Sequence, residues 1–242
     1  MLEILLENKY IIVCRKPSGV LSQDDGKNGE NMVKLLSEYR RQKGESEYIG
    51  IVHRLDRNVS GVMVFSKRED FTGKLSGALS DKTVTEKEYF AVLCGRPEKE
   101  ADTLVDLLFR DSRTGKTYVV DRKRAGVKEA SLEYRTIAET EREGQPLTLV
   151  KIRLHTGRTH QIRAQFSSRA LPLAGDGKYG GRFCRETENN IALCAARLAV
   201  KAGQNATFDL TALPDATAFP WCLFDRETLE SVLNEKTQKS IK

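Results

Sequence analysis

Short apolar runs rich in β-branched and aromatic residues recur along this chain, and they outnumber the segments with a helical repeat. The run Tyr10-Ile11-Ile12-Val13-Cys14 is typical, because the turn signal Lys16-Pro17-Ser18-Gly19 follows it closely. Strands and helices do not alternate strictly, which favours an α+β sheet fold over a doubly wound parallel sheet. The other predicted strands are residues 49–52, 61–67, 88–94, 131–137, 147–154 and 191–200.

Fewer segments are predicted to be helical. Asn31 is a suitable cap for one helix, and an apolar residue at every fourth position predicts another over residues 68–80. Thr159 is a suitable cap for a helix over residues 160–170, and Asp225 for a last helix before a charged tail.

The length of 242 residues is enough to bury a sizeable core. We expect one domain over residues 1–242, with the polar segment 95–129 as a surface insertion or hairpin. No stretch reaches the roughly 18 apolar residues that cross a bilayer, and the first residues lack the basic region of a signal peptide. The cytoplasm is therefore the default expectation, and a monomer is expected because the sequence has no obvious interface pattern.

Nothing in the sequence indicates a metal or a cofactor. The cysteines are scattered and odd in number, with no Cys-x-x-Cys pair, which argues against a disulfide framework and a zinc site. Residues 175–181 are rich in glycine but lack the signatures of nucleotide-binding loops, so a tight turn is predicted there. Cys14 and Cys94 lie in apolar runs and are expected to be buried; the other cysteines are Cys184, Cys194 and Cys222.

The segment His53-Arg54-Leu55-Asp56-Arg57 places one carboxylate between two arginines, directly before a predicted strand. A carboxylate near fixed cations is kept ionised and can act as a nucleophile or base. A capping aspartate paired with a neighbouring arginine is the structural alternative. Functional side chains are often presented where a strand meets a loop, which favours the catalytic interpretation of Asp56.

A second segment, Thr156 to Arg163, combines glycine, cations and hydrogen-bond donors at the start of a predicted helix. His160 and Arg163 are three residues apart and are predicted to share a face, and Gly157-Arg158 precedes the helix at a position that favours an anion. With a net charge of +6 and a basic cluster at Arg122-Lys123-Arg124, these features suggest chemistry on a nucleic acid.

Taken together, the motifs resemble those of the RluA-type pseudouridine synthases, which isomerise uridine in structured RNA. The matching motifs, in family order, are His53-Arg54-Leu55-Asp56 with Ser60-Gly61, Lys87-x-Tyr89, Gly157 to Arg163, and Pro172 to Asp176 with Tyr179-Gly180; the Lys16-Pro17-Ser18-Gly19 turn also fits. The resemblance implies a mixed, largely antiparallel sheet in two halves, with the active cleft between them. It also implies that no cofactor or metal is needed.

By this resemblance, Asp56 is the catalytic nucleophile, Arg163 pairs with its carboxylate, and Tyr89 packs on the target base. A tyrosine in a strand is otherwise usually a core residue. Arg54 resembles the residue that fills the gap left by the extruded nucleotide. Further expected RNA contacts are His53, Arg57, Arg158, His160, Lys123 and Arg124, and the expected partner is ribosomal or transfer RNA.

The chain departs from the family pattern at Val59, where threonine is usual, and at Cys194, where histidine is usual. We also expect no S4-type RNA-binding domain, because the residues before Tyr10 are too few for one. The main alternative function is an RNA-binding chaperone of the same fold without catalysis; the intact Asp56, Tyr89 and Arg163 count against it. A metal-dependent nuclease would need clustered carboxylates, which the sequence lacks.

Overall fold

The computed structural model describes residues 2–27, 29–180 and 190–235. It divides into two compact units: the first contains Met1–Lys87 and Ala195–Ala212, and the second contains Glu88–Cys194 and Leu213–Lys242. Cys184 lies outside the described residues. None of the described helices is long and apolar enough to cross a membrane.

The predicted α+β class is confirmed, because antiparallel strands dominate both units and four α-helices accompany them in the described part of the chain. In chain order the elements are β1 (Glu3–Glu7), β2 (Ile11–Lys16), α1 (Met32–Gln42), β3 (Gly50–Ile51), β4 (Ser60–Ser66), α2 (Glu69–Ser80), β5 (Thr85–Cys94), β6 (Ala101–Asp111), β7 (Lys116–Val120), β8 (Val127–Arg142), β9 (Gln145–Leu154), α3 (Gln161–Ser167), β10 (Leu193–Lys201), β11 (Thr207–Thr211) and α4 (Arg226–Asn234).

The strands of the first unit follow the order β1-β2-β4-β10, with β3 paired to β4 and β11 to β10. Alternate residues of β2 and β4 point to one face, where they pack with Leu75 and Leu79 of α2. Their spacing of four residues, which predicted this helix, places both on its buried stripe. The predicted cap of α1 is also present, because the Asn31 side chain accepts the Lys34 N–H at 3.0 Å.

The strands of the second unit follow the order β5-β9-β8-β6-β7. Leu108 and Ala130, on β6 and β8, pack against Ala164 of α3. The segment predicted as an insertion or hairpin, residues 95–129, contains β6 and β7, which pair antiparallel with each other, while β6 also pairs with β8. Asp225 caps α4 as predicted, since its side chain accepts the Thr228 N–H.

The helix predicted over residues 160–170 is shorter than expected and starts differently. It covers Gln161–Ser167, with His160 in the left-handed region (φ 53°) at the cap position. Thr159 does not cap it with its side chain; the Thr159 carbonyl accepts a hydrogen bond from the Thr117 hydroxyl at 2.9 Å. The Gln161 side chain instead accepts the Arg158 N–H at 3.0 Å, which organises the turn before the helix.

The cysteines among the described residues are Cys14, Cys94, Cys194 and Cys222. Cys14 is fully buried as expected, and burial raises its pKa to about 12. Cys94 was expected to be buried but is only half-buried, because it is the last residue of β5. Cys194, where the family pattern has histidine, is fully buried in β10.

Candidate functional site

The Asp56 loop, residues 53–59, joins β3 to β4 in the first unit. Its main chain is hydrogen-bonded to the turn that follows β2. The Ser22 hydroxyl donates to the Leu55 carbonyl at 2.7 Å and accepts the Leu55 N–H at 3.0 Å. The Gly19 N–H donates to the Arg57 carbonyl at 2.9 Å. These bonds fix the backbone on both sides of Asp56.

A buried lysine completes this attachment. Lys16 is fully buried at the end of β2, and its ammonium donates to the carbonyls of Pro17 at 2.9 Å, Val20 at 2.6 Å and Arg57 at 2.9 Å. Burial lowers the pKa of Lys16 to about 7, although the nearby Asp56 carboxylate opposes this shift. Asp56 thus lies in the electrostatic field of Lys16 as well as of its neighbouring arginines. In the sequence, Lys16 was identified only as part of a turn signal.

The residues around Asp56 differ in exposure. Arg54 and Arg57 are exposed. Val59 is buried at 2% exposure, and its N–H donates to the Asp56 carbonyl at 3.1 Å. This position therefore contributes an apolar side chain to the core and a backbone bond to the loop, neither of which requires the hydroxyl of threonine.

His53 has a structural contact that the sequence did not reveal. Its Nε2 accepts the Val64 N–H of β4 at 3.0 Å. Burial lowers the pKa of His53 to about 3, and the Lys87 cation lowers it further. The ring is therefore neutral at physiological pH and contributes no positive charge toward an RNA.

Gly61 allows the start of β4 to approach β10. Its φ is +125°, and a Cβ there would lie 2.3 Å from the Ala195 carbonyl oxygen. Because this neighbour is backbone and cannot move aside, the position admits only glycine. Gly61 lies just after the Asp56 loop, so it fixes the direction in which the chain leaves the loop.

Arg163 is the centre of a buried cluster in the second unit. Its Nε and Nη2 donate to the two oxygens of Asp176 at 2.6 and 2.8 Å, and the residues are 5% and 0% exposed. This is the bidentate geometry that makes arginine–carboxylate pairs strong. The guanidinium carbon also lies 4.9 Å from the centroid of the Tyr179 ring.

Tyr179 connects this ion pair to its surroundings. Its hydroxyl accepts the Thr117 N–H at 2.7 Å and is 2.9 Å from Nδ1 of His160. Its N–H donates to Asp176 at 3.2 Å, and burial raises the pKa of its phenol. His160 and Arg163 thus do converge, although the sequence predicted this through a shared helix face. In the structure they converge on Tyr179.

The remaining predicted residues lie elsewhere in the second unit. Tyr89 is half-buried in β5 and pairs with Ile152 of β9. Arg158 is exposed, and its Nε donates to the Glu129 carbonyl at 3.1 Å. Lys123 and Arg124 are exposed in the loop between β7 and β8. The roles of Tyr89 on the base and of Arg163 beside Asp56 remain predictions.

Asp176 and Tyr179 are the residues whose positions sequence reasoning left without a role. The glycine-rich loop predicted as a tight turn beside the site supplies both of them, up to Gly180; Gly181 lies outside the described residues. Among the described residues, no three histidine, cysteine, aspartate or glutamate side chains are arranged to hold a metal ion.

Comparison with known proteins identifies related sequences. A family model described as RNA pseudouridylate synthase matches residues 10–168. YhcT of Bacillus subtilis, named as an uncharacterized RNA pseudouridine synthase, is 33% identical over 74% of this chain and 58% of its own length. Ribosomal large subunit pseudouridine synthase D of Vibrio parahaemolyticus is 36% identical over 75% of this chain and 53% of its own length. The chain thus spans little more than half the length of these relatives.

Solved structures show the same fold. The human RNA pseudouridylate synthase domain containing 1 has a TM-score of 0.76 and 20% identity, with 98% of this chain and 96% of that chain covered. The human RNA pseudouridylate synthase domain containing 4 has a TM-score of 0.70 and 20% identity, with 89% of both chains covered.

Proposed function

The chain belongs to the RNA pseudouridylate synthase family, and on that premise we propose that it isomerises uridine to pseudouridine with Asp56 as the nucleophile. The observation that carries the proposal is the Asp56 loop. Its backbone is fixed by Lys16 and Ser22, while exposed arginines stand on both sides of the carboxylate. A nucleophile on a rigid loop loses little freedom when the substrate binds, which favours reaction.

The reaction exchanges the bond between C1′ and N1 of uridine for a bond between C1′ and C5. The proton leaves C5 and one is gained at N1, so atoms and electrons balance without an oxidant or a reductant. Asp56 forms a covalent bond to the nucleotide and is released when the new bond is complete. We propose that Tyr89 packs on the base and handles its proton.

The target base must leave the RNA stack before this chemistry, at a cost of a few kcal/mol. We propose that Arg54, which is exposed beside Asp56, occupies the gap left by the base and offsets part of that cost. By the resemblance in the motifs, Arg163 pairs with the Asp56 carboxylate. The Asp176 contact already restricts the Arg163 guanidinium to one orientation.

We propose ribosomal or transfer RNA as the substrate class, with the reaction in the cytoplasm. Several related proteins are named as ribosomal large subunit pseudouridine synthases, which favours ribosomal RNA among these. The net charge of +6 suits a polyanion. The proposed contacts are His53, Arg54, Arg57, Arg158, His160, Lys123 and Arg124; the His53 ring also accepts the Val64 N–H.

The test is to map pseudouridines at single-nucleotide resolution in ribosomal and transfer RNA from cells that lack the gene. Complementation uses the wild type, Asp56→Asn and the control Asp25→Asn, since Asp25 is an exposed residue of the first unit. We expect at least one site to disappear and to return with the wild type and the control, but not with Asp56→Asn. An unchanged map in both RNA classes would reject this proposal and favour RNA binding without catalysis.

A further inference from the structure

We propose that the outer face of the β6–β7–β8 sheet is a stacking platform for an unpaired segment of the substrate RNA. This inference rests on the proposed function and extends it to a substrate feature and to residues outside the catalytic motifs. We call this surface the outer face and define it by the apolar side chains Val105, Leu107, Phe109, Tyr118, Val120 and Val127.

The strand register places these side chains together. Phe109 is paired with Tyr118 of β7 on one side and with Val127 of β8 on the other, and residues directly opposite in an antiparallel pair share a face. Leu107 is paired with Val120 in the same way. An aromatic pair therefore lies across β6 and β7, with aliphatic side chains on either side.

The other face of the same strands is already occupied. Leu104 and Leu108 alternate with the outer residues of β6 and are buried at 4% and 3% exposure. Leu108 packs with Ala130 and with Ala164 of α3. The core of the second unit is therefore on the inner side, and the outer residues are not needed to complete it.

The outer face is more apolar than a solvent-facing strand requires. Such a face usually carries polar side chains in alternation with the buried ones. Here Val105 is 58% exposed and Tyr118 is 43% exposed, and they are the exposed large apolar side chains among the described residues. A contiguous exposed apolar surface commonly marks an interaction site.

The charge around the outer face favours RNA over a protein partner. The β6–β7 turn, residues 112–115, and the loop after β7, residues 121–126, contain four lysines and arginines and one aspartate, a net charge of +3 within a chain whose net charge is +6. The Arg124 guanidinium lies 4.7 Å from the centroid of the Phe109 ring. Aromatic rings beside cations are the usual means of binding single-stranded RNA, because bases stack on the rings while the cations hold the phosphates.

This chemistry selects unpaired RNA. In an RNA duplex the bases stack on one another, so their faces are not available to a tyrosine ring. The bases of loops and bulges are unstacked, and their faces are available. Tyr118 presents its ring to solvent, so an unstacked base can lie on it without a rearrangement of the strands.

The outer face is also joined to the Arg163 cluster. Thr117, directly before Tyr118, is buried and donates its N–H to the Tyr179 hydroxyl at 2.7 Å. Lys178 donates to the Gly115 carbonyl of the β6–β7 turn at 2.9 Å. An RNA segment on the outer face is therefore bound to strands that hold Tyr179 in place.

The experiment measures binding of the full chain to a labelled single-stranded RNA and to a duplex of the same length, over a range of salt concentrations. Tyr118→Ala is expected to weaken single-strand binding roughly 5- to 100-fold at every salt concentration, since stacking on one ring is worth that much. Tyr118→Phe is the matched control and should bind like the wild type. Duplex binding should be unchanged in both.

The double variant Lys123→Ala/Arg124→Ala provides the electrostatic comparison. It should reduce the slope of log affinity against log salt, because fewer phosphates are neutralised, whereas Tyr118→Ala should not change that slope. Equal single-strand affinity of Tyr118→Ala and the wild type would overturn the platform. The platform would also be overturned if, without RNA, the wild type were a dimer and Tyr118→Ala a monomer. The outer face would then be a contact between two copies of the chain.

The outcome is separable from the proposed function. If the wild type restores pseudouridine in cells but Tyr118→Ala binds single-stranded RNA normally, the platform fails and the proposed function stands. If no pseudouridine depends on the gene but Tyr118→Ala still loses binding, the platform stands as an RNA-binding surface and the proposed function fails.

Discussion

The two regions that carry the predicted catalytic groups are stabilised in different ways. The Asp56 loop is held through its main chain, by Lys16, Ser22 and Gly19. Arg163 is held through its side chain, by the Asp176 carboxylate and the Tyr179 ring. A residue held by its backbone can change its side chain without loss of position. A residue held by its side chain cannot.

This difference matches the roles proposed for the two residues. A nucleophile must form and break a bond during turnover, and the backbone contacts of the Asp56 loop hold it in place meanwhile. An arginine that only orients or stabilises a charge can be fixed at its guanidinium throughout, at the cost of burying an ion pair. The substitutions below test this comparison.

The largest expected effect on stability is at the ion pair. Asp176→Ala leaves the Arg163 charge buried without its carboxylate, and we expect the free energy of unfolding to fall by about 3–5 kcal/mol. Asp176→Asn keeps one hydrogen-bond acceptor for Arg163, so its free energy of unfolding should fall by less. Chemical denaturation followed by circular dichroism measures both.

The control for this prediction is Glu230→Ala, which removes an exposed ion pair with Arg226 in α4. Such a pair contributes less than about 1 kcal/mol. If the free energy of unfolding fell equally for Asp176→Ala and Glu230→Ala, Arg163 would not depend on Asp176. The claim that Arg163 is held through its side chain would then be wrong.

A smaller effect is expected where the loop is held through its main chain. Lys16→Met keeps most of the side-chain volume but removes the donor to three carbonyls, including that of Arg57. We expect the free energy of unfolding to fall by about 1–3 kcal/mol. Lys34→Met, at an exposed lysine of α1, is the control and should stay within about 0.5 kcal/mol of the wild type. If Lys16→Met were as stable as the control, the ammonium would not be what holds the loop.

The effect expected at His53 concerns the pH dependence of the Asp56 loop and is absent at neutral pH. His53 has a folded pKa of about 3, below its ordinary value near 6.5, so the unfolded chain binds one more proton between these values. The contribution of the neutral His53 ring to the free energy of unfolding is therefore fully present above pH 6.5. It is lost as the pH falls toward 3.

His53→Gln keeps an acceptor for Val64 but does not titrate, so it should lose less stability than the wild type over this range. The slope of the free energy of unfolding against pH should differ between the two proteins by less than about 1.4 kcal/mol per pH unit, which is the value for one proton. Denaturation curves at pH 7, 6, 5 and 4 measure it. Parallel stability curves for the two proteins would mean that His53 titrates normally.

The contrast between the two regions also explains what the sequence could predict. The Asp56 loop was identified because its charged residues are contiguous, so local sequence displays them together. The partners of Arg163 and Lys16 are distant: Asp176 is 13 residues from Arg163, and Arg57 is 41 residues from Lys16. Only the fold brings such groups into contact, so the ion pair and the buried ammonium were missed.

The prediction of helices and strands was limited in the same way, because it too depended on local sequence. Regular apolar periodicity predicted β2, β4, β5 and α2 well, whereas β6 and β7 mix charged residues with apolar ones and were interpreted as a polar insertion or hairpin. The start of α3 was misplaced because a threonine before a helix is usually its cap. Here the Gln161 side chain and the left-handed His160 organise that turn instead.

The most direct test of the central claim is single-turnover pseudouridine formation by purified wild type and Asp56→Asn on RNA from cells that lack the gene. Because asparagine is isosteric with aspartate and the backbone contacts of the loop remain, Asp56→Asn should fold and bind the RNA, yet form no pseudouridine. An Asp56→Asn protein that forms pseudouridine at a rate near that of the wild type would contradict the account.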